Sequence, residues 1–342
     1  MGNSRFTHNL KEASFGLFLA VLIGLAGYYI KVMTKHSLVD PLLVAMVIGI
    51  IVRTAIEDSE RFNPGFTLGP AIFIPIGIAF YAIKNLNFIK VAKVQTSILV
   101  LLMVVIAVYI FVILILGRLL GQRKQITYLT ATGSAICGAS AIAITAPAVK
   151  ANPDDVSISL LSVALAAFTG LFILLPFLAI LFGVTDRAFG MLYGSVLQFT
   201  GFVAASTKNI PYLMPEMRVE DLVSLALSIK AVRYLGLLAM IPIFASMVRG
   251  KIHVPWVLWA FLGAGILGTG IYAADRVFYD KTLVPWIRPI YNISWSIAMA
   301  AIGLNADVKQ LLSNNGAKAL IMAFGGFFAA AITAFFIELF IN

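Results

Sequence analysis

Lys230 and Arg233 stand three residues apart inside the apolar run 222–248. At that spacing they share one face of a helix. A charge so deep in a bilayer costs at least about 2.5–3.5 kcal/mol on insertion scales, so intramembrane cations face a cavity or a partner. Asp40, Glu57, Asp275, Asp307 and Glu338 all fall near the ends of apolar runs, which leaves no obvious carboxylate partner at mid-depth. Two unpaired cations facing a cavity are the chemistry of an anion site, and Arg can hold an oxyanion through two parallel bonds. The other reading pairs them with helix C-terminal carbonyls or an end-lying Asp. On the first reading, Gln at either position abolishes anion binding and leaves the fold largely intact.

A second group of residues could serve the same chemistry. The stretch 131–148, ATGSAICGASAIAITAPA, consists mostly of Ala, Gly, Ser, Thr and Cys. On a helix, Ser134, Cys137, Gly138, Ala141 and Thr145 fall near one face. Gly133, Gly138 and Pro147 argue for an interruption, and freed backbone groups in a membrane must find partners within the protein. Backbone N–H groups at a broken-helix N-terminus, with Ser134 and Ser140, would donate to an anion; the alternative is a close helix–helix seam. The pattern returns at Gly194-Ser195-Val196-Leu197, followed by Gln198 and Thr200. Gln198 either bonds a neighbouring helix or offers its amide to an oxyanion. Lys84 closes the third apolar run and either snorkels to the interface or forms a cationic wall on the anion pathway. The run Tyr291–Ala306 is short and polar, with Asn305 expected to line a cavity or cap a helix. It is also the counterpart expected for the interrupted segment at 131–148.

The elements that must position these residues follow from hydropathy. The chain is 61% hydrophobic and 12% charged, and its mean hydropathy is +0.98, far above a soluble domain. Apolar runs recur to its end at 14–33, 41–56, 66–83, 96–117, 127–149, 156–183, 188–206, 222–248, 254–274, 289–306 and 317–340. The expected fold is an all-α polytopic membrane protein with about eleven spans. It forms one transmembrane domain: an extra N-terminal helix at 14–33, a first repeat at 41–183 and a second at 188–340. The first run is as long as a true span and is read as retained. The net charge of +10 sits mostly at span ends, where Lys and Arg meet lipid headgroups, so nucleic acid is not an expected partner. The positive-inside rule leaves orientation undecided, because basic residues divide almost evenly. One cysteine, Cys137, excludes an intrachain disulfide. The three histidines lie at span ends, so neither a metal nor a cofactor is expected.

The string GSAICGASAIAITAPAVKA at 133–151 resembles the signature of the YeiH-type sulfate exporter family of bacterial inner-membrane proteins. The likeness extends to Gly194-Ser195, to the K-x-x-R of Lys230 and Arg233, to His253-Val254-Pro255-Trp256 and to Ala298–Leu304. The resemblance implies inverted five-helix repeats with interrupted helices, similar to sodium–proton antiporters and bile-acid symporters. It also implies transport of a small anion such as sulfate or a sulfonate, in the plasma membrane. Where that family carries a His-Glu pair and a later Gln, this chain has Gln198, Phe199 and Phe202, which removes titratable groups. Where the family has an Arg near the end of the third span, Lys84 keeps the charge without the bidentate fork.

The expectation is a secondary transporter of a small anion working by alternating access, with an anion channel lined by the same residues as the alternative. Its expected partners are the anion, the bilayer, a coupling sodium or proton, and a second copy of the chain. An enzyme would need a nucleophile–base pair or two mid-span aspartates, and neither is visible.

Overall fold

In lipid, a spanning segment must satisfy its own backbone, and an α-helix does so within one segment. The structure, a computed structural model, describes residues 2–36, 39–56, 62–92, 94–206, 219–306, 309 and 312–341. These fold into helices, and no strand occurs among the described residues. Six of the helical stretches are long and apolar enough to cross a membrane. The protein is an all-α polytopic membrane protein. Glu57 and Asp307 lie outside the described residues.

In chain order the helices are α1 (Gly2–Thr34), α2 (Pro41–Ala55), α3 (Asn63–Asn85), α4 (Phe88–Ala92), α5 (Thr96–Leu119), α6 (Lys124–Ala135), α7 (Ala139–Ala148), α8 (Pro153–Thr169) and α9 (Leu175–Phe182). They continue with α10 (Asp186–Val196), α11 (Thr200–Ser206), α12 (Val219–Val232), α13 (Gly236–Arg249), α14 (Trp256–Ala274), α15 (Arg276–Phe278), α16 (Val284–Asn305) and α17 (Asn314–Ile341). A π-helical turn at Gly170–Leu174 joins α8 to α9, and a 3₁₀ turn at Arg233–Leu235 joins α12 to α13. The second of these contains Arg233.

Helix ends follow local chemistry. Asp40 caps α2 by accepting from Leu42 N and Leu43 N. Asn152 caps α8 and Asp155 reciprocates at the third helical position, while Arg123 bridges Asp155 at 3.3 Å. Asp155 is thus a capping partner, as its position after Asn152-Pro153 allows.

The helices pack as two groups. Helix α16 lies against α1, α2 and α3, with α14 beside α3. In the second group α17 packs on α5, α6, α8 and α10, and α12 packs on α10. Helices α7 and α13 run between the groups, touching α6 and α8 on one side and α3, α14 and α16 on the other.

Two runs are interrupted, 127–149 at 136–138 and 188–206 at 197–199. The expectation for 289–306 needs correction. Helix α16 is continuous over 22 residues, with Pro289 inside it. The interruptions therefore occupy the fourth position of the first expected repeat and the first position of the second. Pro289 is tolerated near the start of α16, and from Ser294 to Leu304 the helix is buried throughout against its neighbours. Packing on that scale outweighs the polar side chains that made the run look breakable.

Candidate functional site

The break after α6 is made by its sequence. Gly138 has φ of +69°, a conformation that side chains rarely adopt, and it lets the chain turn from α6 into α7. A Cβ there would lie 2.8 Å from Phe199, whose ring fills the corner between the two interrupted helices. Phe199, standing where the resemblance expects a carboxylate, thus seals the break with an apolar ring.

Breaking a helix leaves carbonyls at its C-terminal end without partners. In α6, Thr132 O accepts from Ile136 N and Gly133 O from Gly138 N. The next carbonyls take their bonds from the two cations. Arg233 donates Nε to Ala135 O at 2.9 Å and Nη2 to Ser134 O at 2.9 Å and Ala135 O at 2.6 Å. Lys230 Nζ donates to Ile136 O at 2.6 Å and across to Leu197 O, just beyond α10, also at 2.6 Å. Arg233 Nη1 reaches the same Leu197 O at 2.9 Å. Both side chains are 0% exposed.

The expectation that Lys230 and Arg233 line a cavity is therefore corrected: they clamp the C-terminal ends of two half-helices. Their positive charge meets the negative ends of α6 and α10, each worth roughly half a charge. Two cations against about one unit of negative helix-end charge leave the junction net positive by about one unit. The i, i+3 spacing signalled their common face correctly, but a carbonyl cluster made by distant chain satisfies them.

Tyr109 of α5 completes the junction, donating to Val196 O at 3.0 Å and accepting from Gln198 Nε2 at 3.0 Å. Gln198 is fully buried and takes the neighbouring-helix role rather than the oxyanion role. Ser134 is also buried, its carbonyl held by Arg233. Sequence reasoning passed over Tyr109, which looks like one more aromatic in an apolar run.

A cavity of about 150 Å³ opens on the other side of the break. Its walls include Cys137, Ala139 and Ser140 from the start of α7, Thr200, Tyr234, and Tyr81, Lys84 and Asn85 from α3. Asp40, Tyr291, Asn292 and Trp295 close it. Thus Cys137, Ser140, Thr200 and Lys84 line one cavity, with Gly138 between two lining residues. Cys137 Sγ and Ser140 Oγ are 2.8 Å apart. Thr200 Oγ1 and Tyr234 OH are 3.1 Å apart. Lys84 Nζ donates to Tyr291 OH at 3.2 Å and lies 5.8 Å from the centre of that ring. Tyr279 holds the end of α3 in place by donating to Ile83 O and Lys84 O.

Asn305 is not part of this group. It ends α16, thirteen residues beyond the lining Asn292, and so lies roughly 20 Å away along the helix axis. The residue of that helix that reaches the cavity is Asn292.

A second cavity of about 600 Å³ shares Lys84, Asn85, Thr200 and Tyr234 with the first. Lys90 and Arg276 line it, so the approach to the smaller chamber is basic. Lys90 also sits 4.7 Å from the Tyr272 ring centre and 3.5 Å from Asp280.

The family model described as conserved hypothetical protein 698 matches residues 15–323. The chain belongs to this family. It is the YeiH-type family that the motif at 133–151 resembles. Among curated proteins, the chain is 26% identical to a UPF0324 membrane protein of Archaeoglobus fulgidus over 91% of its own length and 88% of the relative's. It is 27% identical to a UPF0324 membrane protein of Bartonella henselae, covering 88% of this chain and 86% of that one. A Bacillus cereus UPF0324 membrane protein is 26% identical over 90% of this chain and 89% of its own. No solved structure matches.

Tyr81, Tyr234, Tyr291, Trp295, Asn292 and Asp40 are among the lining residues that sequence reasoning did not select. Aromatic residues abound in any membrane protein, and Asp40 reads as a helix cap. Each gains its meaning only from the others. Gly77 is the one local clue, because the Trp295 indole packs where its Cβ would be.

Proposed function

We propose that this protein is a secondary transporter, not an enzyme, for a small anion such as sulfate or an organic sulfonate or carboxylate, in the bacterial plasma membrane. One observation carries the reading: a cavity of about 150 Å³ at the N-terminus of α7, with Lys84 in its wall, adjoins a basic vestibule of about 600 Å³.

The first N–H groups of a helix lack intrahelical acceptors and carry its positive end. Ala139 and Ser140 bring that end of α7 to the cavity, and Lys84 faces it from α3. Hydroxyls from Ser140, Thr200, Tyr234 and Tyr291 add donors suited to an oxyanion. Lys230 and Arg233 act from behind the wall: they hold the broken helices in register and leave a local excess of positive charge. The chamber is well below the roughly 300 Å³ of the smallest drug-sized pockets, which favours a solute of few heavy atoms.

Alternating access would come from one helical group rocking against the other, with α7 and α13 at the boundary. The single transmembrane domain, the extra helix at 14–33 and the repeats at 41–183 and 188–340 belong to the same proposal. So do a coupling sodium or proton and pairing with a second copy. Purified protein in liposomes loaded with sulfate or a sulfonate tests it: saturable counterflow is expected. Large unitary currents without exchange would replace the transporter by a channel.

A further inference from the structure

The small chamber carries features that a plain anion site does not need. Asp40 lines it together with Lys84, yet among the described residues the two are not ion-paired to each other. Asp40 uses Oδ1 for both capping bonds to α2 and leaves Oδ2 outside them. Besides capping α2, this carboxylate repels an anion, and an ammonium on the guest would offset that repulsion.

The rings point the same way. Tyr81 lies 5.5 Å from Tyr234, 5.5 Å from Tyr291 and 4.6 Å from Trp295, centre to centre, and all four line the cavity. Aromatic faces attract cations, most strongly where water is excluded. Lys84 supplies one such contact from the protein itself, over Tyr291. The chamber thus gathers positive groups, Lys84 and the start of α7, with one carboxylate and four aromatic rings.

We infer that the substrate is a zwitterion: a small sulfonate or carboxylate that also carries an ammonium group. This rests on the anion reading above and narrows it. The acidic group binds at Ala139, Ser140 and Lys84, while the ammonium lies among the rings near Asp40. Such a guest adds no net charge to a chamber whose lining holds one cation, Lys84, and one carboxylate, Asp40, so its entry avoids most of the desolvation cost of an isolated ion.

The test compares 2-aminoethanesulfonate with 2-hydroxyethanesulfonate, in which a neutral hydroxyl replaces the ammonium, by calorimetric titration of the purified full chain; sulfate is the third probe. Wild type should bind the amino compound tighter by about tenfold or more. Asp40→Asn should bring the two affinities together, and Asp40→Glu should restore the difference. Asn caps a helix as well as Asp does, so α2 should stay folded, which an unchanged unfolding temperature would verify. Equal affinities in wild type overturn the inference, as does a preference that survives in Asp40→Asn. Binding of sulfate with neither sulfonate would overturn it while leaving the anion reading intact. Failure of all three to bind would remove both.

Discussion

Replacing Arg233 by Met tests whether the cations hold the fold or meet the substrate. Arg233 supplies the bonds to Ser134 O and Ala135 O, and Leu197 O keeps a second donor in Lys230. Met therefore orphans two buried carbonyls at the end of α6. Each unsatisfied buried group costs about 1–3 kcal/mol, so the variant should lose about 2–6 kcal/mol. At roughly 1–2 °C per kcal/mol for a chain of this length, the unfolding temperature should fall by about 2–12 °C. Arg233→Lys should recover part of the loss, since a point charge reaches fewer carbonyls than a planar fork. Cys137 is the one cysteine in the chain and is buried, so a thiol-reactive fluorophore reports unfolding directly. A variant as stable as wild type that merely loses anion binding would refute the carbonyl clamp and return Arg233 to the substrate. This reverses the expectation that substitution here spares the fold.

Lys84→Met should weaken anion binding by about ten- to a hundredfold, the value of one charge-assisted bond, with Lys84→Arg close to wild type in titration calorimetry. Unchanged affinity in the Met variant would remove Lys84 from the site. Gly138→Ala should cost about 1–3 kcal/mol in thermal unfolding because its backbone conformation is strained for any side chain, and adding Phe199→Leu should relieve only the steric part. Asn152→Ala should lose about 1 kcal/mol through the cap of α8, with anion affinity unaffected. A wild-type melting curve would show that the cap contributes nothing.

Much of the fold was legible because hydropathy and helix breaking are local. Long apolar runs with charged joints dictate spanning helices. Gly138 among small residues dictates a break, since no other residue takes that backbone conformation without strain. Two cations at mid-depth had to be buried together, and they are. Where local reading failed, the deciding partner was remote in sequence. Helix α16 looked short and breakable from its Asn and Ser residues, yet packing against α1, α2 and α3 keeps it whole. Asn305 looked like a cavity residue, but the helix turns Asn292 toward the chamber instead.

The amino-acid sequence by itself determined the environment, the helical class, the position of the break and the presence of buried positive charge, because each follows from the free energy of short segments in lipid. Tertiary structure alone decided what that charge touches. The carbonyls that hold Lys230 and Arg233 stand 33 to 99 residues away. Lys84 meets Tyr291 across 207 residues, and Asp40 joins the same chamber from the start of α2. A hydrogen bond depends on positions within a few ångströms, and only packing brings such distant groups that close.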